Sequence, residues 1–141
     1  MECRNPARTT RLGSALQMIH LDANFLVGAV EKKSTTVRIL HTWLKVGEDF
    51  AASSIAWSEF LNGPLASGYA EDADFLIEGR IVPFGRREAE LASRLFNRTG
   101  RRRGLQPDCY IAATAICHRA TLATHNGKHF QQFVPFGLHL A

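Results

Sequence analysis

Short apolar runs alternate along this chain with stretches whose apolar residues recur at helical spacing. Met18-Ile19-His20-Leu21-Asp22 reads as a brief buried strand that ends on an acid. Asp22-Ala23-Asn24 then supplies helix-start chemistry, and Phe25, Leu26, Val27 and Val30 form an apolar face. Ser34-Thr35-Thr36 is expected to cap a second helix, with Val37, Leu40 and Leu44 on one face and Gly47 at its end. Phe50 to Ile55 predicts a second strand. Ala56 to Ala66 predicts a third helix, which Gly63-Pro64 must weaken or kink because proline removes a backbone donor. A further helical stretch is expected over Glu71 to Ile77, and a short strand over Arg80 to Phe84. Arg86 to Asn97 carries Ala89, Leu91, Ala92, Leu95 and Phe96 at helical spacing.

The strongest helical pattern runs from Pro107 to about Arg119. Proline suits its first turn, and Asp108 sits where the helix dipole favours an anion. Leu122-Ala123-Thr124 predicts a brief strand, Asn126-Gly127 a turn, and Val134 to Leu138 a last edge strand. Strands alternating with helices predict an α/β sandwich around a mostly parallel sheet. In such sheets sites form at the C-terminal ends of the strands, where Asp22 and the Thr124-Asn126 segment fall. There is no internal repeat.

Composition narrows the class. Hydrophobic content of 45% and charged content of 21% suit a folded globular chain, and 141 residues suit one domain. No apolar run approaches the ~20 residues of a membrane span. The three cysteines show no CxxC pairing, and their odd number argues against a disulfide framework, so a reducing, cytoplasmic setting is expected. Residues 1–17 hold Arg4, Arg8 and Arg11 against Glu2, half of the chain's net +4. They show no strand or helix period and no apolar centre of the kind a signal peptide needs. They are expected to be a disordered basic extension, with Met18 as the true start and residues 18–141 as the folded domain. Arg98, Arg101, Arg102 and Arg103 form a dense basic run. Such runs are commonly solvated loops; the alternative is a phosphate-contacting patch beside a nucleic-acid site.

Three acids lie beside core-forming segments: Asp22, Glu59 in Ile55-Ala56-Trp57-Ser58-Glu59-Phe60, and Asp108 in Gln106-Pro107-Asp108-Cys109-Tyr110. Carboxylates near a core are costly unless something offsets their charge, and a hard cation such as Mg²⁺ is the natural partner for oxygen ligands. Taken singly, Asp108 reads equally as a helix cap and Glu59 as a surface carboxylate, although its apolar neighbours suggest an inward-looking turn. Histidines offer other chemistry. His125 and His129 have zinc-ligand spacing if they share a helix, which Gly127 makes doubtful. His20 and His125 could act as base and acid without a metal. Cys109 and Cys117, and Trp43 and Trp57, read most simply as packing residues.

The motifs together resemble those of the PIN-domain ribonucleases, particularly the VapC-type toxins of type II toxin–antitoxin systems. The matching segments are Ile19-His20-Leu21-Asp22-Ala23-Asn24, Ser58-Glu59-Phe60 with Gly63, Asp108-Cys109-Tyr110-Ile111-Ala112-Ala113-Thr114-Ala115, and Leu122-Ala123-Thr124-His125-Asn126 before Phe130. The resemblance implies a PIN-like three-layer α/β/α sandwich. It also implies an endoribonuclease dependent on Mg²⁺ or Mn²⁺, with Asp22, Glu59 and Asp108 holding the ion and a water attacking phosphorus in line. Asn24, Thr124 and Asn126 match polar positions that orient ligands or water. A cognate antitoxin and a homodimer are implied as well. One departure stands out. Relatives usually carry a fourth acid where Asn126 or His129 stands, and neither is acidic here. Weaker binding of a second metal is expected, and a catalytically weak RNA- or partner-binding module is the competing class.

Overall fold

The structure, a computed structural model, describes residues 18–141. The expectations for residues 1–17 lie outside the described residues. Five strands form one sheet: β1 (Ile19–Leu21), β2 (Phe50–Ser53), β3 (Ile81–Val82), β4 (Thr121–Ala123) and β5 (His139–Leu140). Their order is β3-β2-β1-β4-β5. Every pairing is parallel, with Ile19 opposite both Phe50 and Thr121. The expected mostly parallel sheet is wholly parallel among the described residues. Every residue of β1 and β2 is buried, as a parallel sheet covered on both faces requires.

The helices are α1 (Ala23–Val30), α2 (Ser34–Lys45), α3 (Ser54–Asn62), α4 (Tyr69–Ile77), α5 (Arg86–Arg98), α6 (Gln106–Cys117) and the short α7 (Gly127–Phe130). Strand alternation sends Ile19 and Leu21 into one core with Phe25, Leu26, Phe50 and Ile77. Leu122 points into a second core with Leu95, Ile111, Phe130 and Phe133. The two cores flank the sheet and make a three-layer α/β/α sandwich. Small residues Ala112, Ala113 and Ala115 on α6 are fully buried, which lets that helix lie close to its neighbours. Trp43 packs face to face with Phe25, at 5.6 Å between ring centres, and Trp57 packs on Phe60; both tryptophans serve packing. Among the described residues no helix is long and apolar enough to cross a membrane.

Three local expectations are corrected. Lys33, not Ser34, holds the N-cap position of α2, and it makes no side-chain cap bond. Ser34 to Thr36 instead fill the first turn, and the Thr36 hydroxyl is committed elsewhere. The third helix starts at Ser54, where the Ser53 hydroxyl accepts the Ala56 N–H at 3.0 Å, and it stops at Asn62. Gly63-Pro64 therefore ends the helix rather than kinking it, since the residue before proline is driven to extended backbone. Val134 to Leu138 is not a strand. Gln131–Phe136 forms a 3₁₀ turn containing Pro135, Gly137 reverses the chain at φ +110°, and the edge strand follows at His139–Leu140. Proline has no N–H for a ladder, and the helical turn buries Phe133 completely.

One close approach sets the distance between the first two helices. A Cβ at Gly28 on α1 would collide with the Thr36 hydroxyl on α2. Only glycine lets the two helices meet there.

Candidate metal and nuclease centre

Asp22 leaves the C-terminal end of β1 with extended backbone and becomes the N-cap of α1. Its Oδ1 accepts the Ala23 N–H at 2.8 Å, and its Oδ2 accepts the Thr124 hydroxyl at 2.7 Å. Thr124 follows directly on β4, the strand paired with β1, so two adjacent strand ends meet at this carboxylate. Asp22 is buried, with 5% of its surface exposed. Asp108 lies inside the first turn of α6, whose N-cap is Leu105, so it is free of the capping role the sequence allowed. Glu59 overturns the expectation of an inward-looking turn: on α3 it is exposed, with Ser58 and Leu61.

The three carboxylates lie in one another's field. All have pKa values raised above the ordinary range, and in each the first cause is burial. Next come the negative charges of Asp22 and Asp108 for Glu59, and that of Asp22 for Asp108. At Asp22 the bonds from Thr124 and Ala23, then the charge of His125, oppose the rise. At Asp108 His129 opposes it. Residues from three separate elements thus lie close enough for the charge of Asp22 to raise Glu59 and Asp108, and for that of Asp108 to raise Glu59. They do not form a closed chelate: among the described residues no group of three His, Cys, Asp or Glu has the spacing to hold an ion.

A polar frame fixes the loop after β4. The Asn24 side-chain oxygen accepts the His125 N–H at 3.1 Å, and the Thr124 hydroxyl accepts the Asn126 N–H at 3.0 Å. His125 Nε2 and the Thr36 hydroxyl are 2.9 Å apart, and the His125 ring stacks on Phe25 at 4.7 Å. Asn24 and Thr124 thus tie the loop after β4 to the end of β1 and the start of α1. Asn126 takes the N-cap position of α7 without a side-chain cap bond. The roles of His125 and Thr36 in this frame were not legible in sequence, because 89 residues separate them.

The rival histidine chemistries find no support. His125 is held by Thr36 and Phe25, whereas His20 is buried on the far face, with its ring 6.4 Å from that of His118. Cys109 is buried, and burial, then Asp108, pushes its thiol up to about 11, which suits a packing residue.

Comparison with known proteins identifies the family of the fold. The PIN domain family matches residues 19–134, and the chain belongs to that family. Three solved structures contain similar chains. The VapBC2 complex of Rickettsia felis bound to a promoter DNA fragment matches at 25% identity and TM-score 0.66, over 89% of this chain and 98% of that one. A toxin–antitoxin complex from Klebsiella pneumoniae matches at 24% and 0.65, over 81% and 90%. FitAcB from Neisseria gonorrhoeae matches at 24% and 0.64, over 87% and 96%. The resemblance to VapC-type PIN toxins thus extends over nearly the whole described fold. None of the curated proteins compared with the sequence matches it.

Proposed function

We propose that this chain is a metal-dependent endoribonuclease toxin, restrained by a cognate antitoxin and working in the cytoplasm as a homodimer. The observation that carries the reading is the nearness of Asp22, Glu59 and Asp108 beyond the C-terminal end of β1, where the charge of Asp22 raises the other two carboxyls. Such a donor set suits Mg²⁺ or Mn²⁺, because hard oxygen ligands that raise one another's pKa values are relieved by a cation. A bound ion would supply an acidified water and offset charge on the transferring phosphate. Asp22, Glu59 and Asp108 would hold it. Thr124 fixes the orientation of Asp22, and Asn24 keeps the Thr124–Asn126 loop in place through His125.

The antitoxin reading draws on the similar complexes and on an apolar groove of about 720 Å³ between α1, α2 and α4. The groove is flanked by Leu44 and by Phe75, which is 86% exposed. An apolar segment of a partner would cover it, and a basic side chain reaching the acidic cleft could replace the metal. The second reading is a catalytically weak binding module. It is favoured by the open spacing of the acids and by the absence of an acid at Asn126 and His129. Expression of the chain with and without Asp22→Ala or Asp108→Ala, together with cleavage of total RNA in Mg²⁺ and in EDTA, separates the two. Growth arrest and cleavage that persist in both variants defeat the nuclease reading.

A further inference from the structure

Beside the acids the surface changes sign. A cleft of about 380 Å³ begins at Asp108 and is walled by the loop from Arg102 to Leu105 and by Lys128, His129 and Gln132 of the segment after β4. The basic run of the sequence thus divides: Arg102 and Arg103 line this cleft, and Arg98 and Arg101 do not. The two walls are tied together. Arg102 Nη2 donates to Gln132 Oε1 at 2.7 Å, and Gln132 Nε2 donates to the His129 carbonyl at 2.7 Å. Arg102 is thereby held in place before any ligand arrives, which lowers the ordering cost of binding. Left-handed backbone at Gly100, Arg101 and Gly104 turns the loop back on itself. At Gly104 a side chain would meet nothing within 4 Å, so the backbone angle and not space calls for glycine.

The charges in this cleft are unspent. None of the ion pairs among the described residues involves Arg102, Arg103 or Lys128. Three cations and one carboxylate therefore line a single groove, with the carboxylate at the end nearest Asp22 and Glu59. Guanidinium groups offer forked donors to phosphate oxygens, and lysine adds a point charge. We propose that this cleft is a phosphate subsite for single-stranded RNA, holding the backbone phosphate next to the one presented to the three acids. The inference rests on the nuclease reading and extends it, because it gives the substrate a direction across the molecule. A polynucleotide suits the groove better than an acidic peptide. Its phosphates repeat at every nucleotide, so one can stand at the acids with a cation while the next stands on Arg103 and Lys128. A peptide carboxylate seated beside Asp108 would meet a like charge instead.

The test measures binding of a fluorescent single-stranded oligoribonucleotide in EDTA, where cutting is off, across a series of potassium chloride concentrations. The double variant Arg103→Gln/Lys128→Gln removes two charges at exposed positions and leaves the Arg102–Gln132 tie intact. Each removed phosphate contact should reduce the slope of log affinity against log salt by about 0.7, so the pair should flatten it by about 1.4. Arg86→Gln, outside the cleft, should leave the slope unchanged. An unchanged slope in the double variant overturns the subsite, even if the wild type cuts RNA in Mg²⁺. Normal RNA binding together with lost retention of the antitoxin also overturns it and assigns the cleft to an acidic protein segment. A flattened slope in a protein that cuts no RNA under any condition supports the cleft and defeats the nuclease reading alone.

Discussion

Two groups of titratable side chains lie on this fold, and they differ in what burial has done to them. The acids Asp22, Glu59 and Asp108 stand at the C-terminal edge of the sheet with pKa values raised, first by burial and then, for Glu59 and Asp108, by neighbouring negative charge. His20 on β1, Glu88 in the first turn of α5 and His118 at the C-cap of α6 form the other group. There burial, then the charge of His118, lowers His20 to about 3, and burial lowers His118. Among the described residues His20 Nδ1 has no hydrogen-bond partner, and His118 Nε2 lies 3.2 Å from Glu88 Oε2. For Glu88 burial alone would raise the pKa, yet backbone N–H groups, including that of Gly85 at 2.8 Å, and nearby positive charge outweigh it. The inner group is closed off: burial disfavours the charged form of both histidines, and backbone N–H groups hold Glu88. The outer group is open, and it lies where a cation or substrate can reach it. A perturbed pKa marks a functional candidate only when access and an uncompensated field accompany it.

The largest effect should come from breaking the outer group. Asp108→Asn is expected to lower RNA cleavage at least ~100-fold, since it removes an oxygen ligand. It should also stabilise the metal-free protein. A carboxyl whose folded pKa is raised favours the folded state at low pH and opposes it once pH passes the folded value, and amide substitution removes that opposition. The gain in EDTA should be small, roughly 1–2 °C in Tm, since water screens groups this exposed. Saturating Mg²⁺ should raise the wild type and close the gap. A variant less stable than wild type in EDTA would refute the repulsion.

Gly28→Ala tests the frame without touching an acid. It drives a methyl group into the Thr36 hydroxyl, so a loss of about 1–3 kcal/mol in urea unfolding is expected. Cleavage should fall at temperatures where the variant remains folded, because the Thr36–His125 contact is displaced. Undiminished activity would detach His125 from the site.

The inner group predicts a pH dependence. His20 takes up a proton near 6.5 when unfolded but only near 3 when folded, so stability is full above about pH 6.5 and falls as pH drops toward 3. At pH 5.5 the loss from this residue is roughly 1 kcal/mol. His20→Gln should flatten that part of the urea-midpoint profile between pH 8 and pH 5.5. An unchanged profile would mean that His20 is not the group. The smallest effect sharpens the outer group: Asn126→Asp should tighten Mg²⁺ binding several-fold by calorimetric titration. No change would place Asn126 outside the metal site.

Elements with a strong local period were legible in the sequence. Asp22 and Asp108 stand where their strand end and helix start predicted, because a cap and a first turn are written in adjacent residues. Glu59 was placed in the right helix but on the wrong side, since apolar neighbours on a helix do not say which face a given residue shares. Val134 to Leu138 misled because apolar content alone cannot tell a strand from a 3₁₀ turn, and Pro135 was the missed signal. The Arg102–Gln132 tie and the His20–His118 contact join distant residues, and no local pattern announces them.

The bond from Thr124 to Asp22 spans 102 residues, and that from His125 to Asn24 spans 101. Strand β1 waits as long for β4, which pairs with it along its whole length. During synthesis, at about 5–20 residues per second, the acid at the end of β1 has no hydroxyl to orient it until Thr124 has left the ribosome. On the proposed reading, the metal-binding edge of a nascent chain is completed only when β4 pairs with β1.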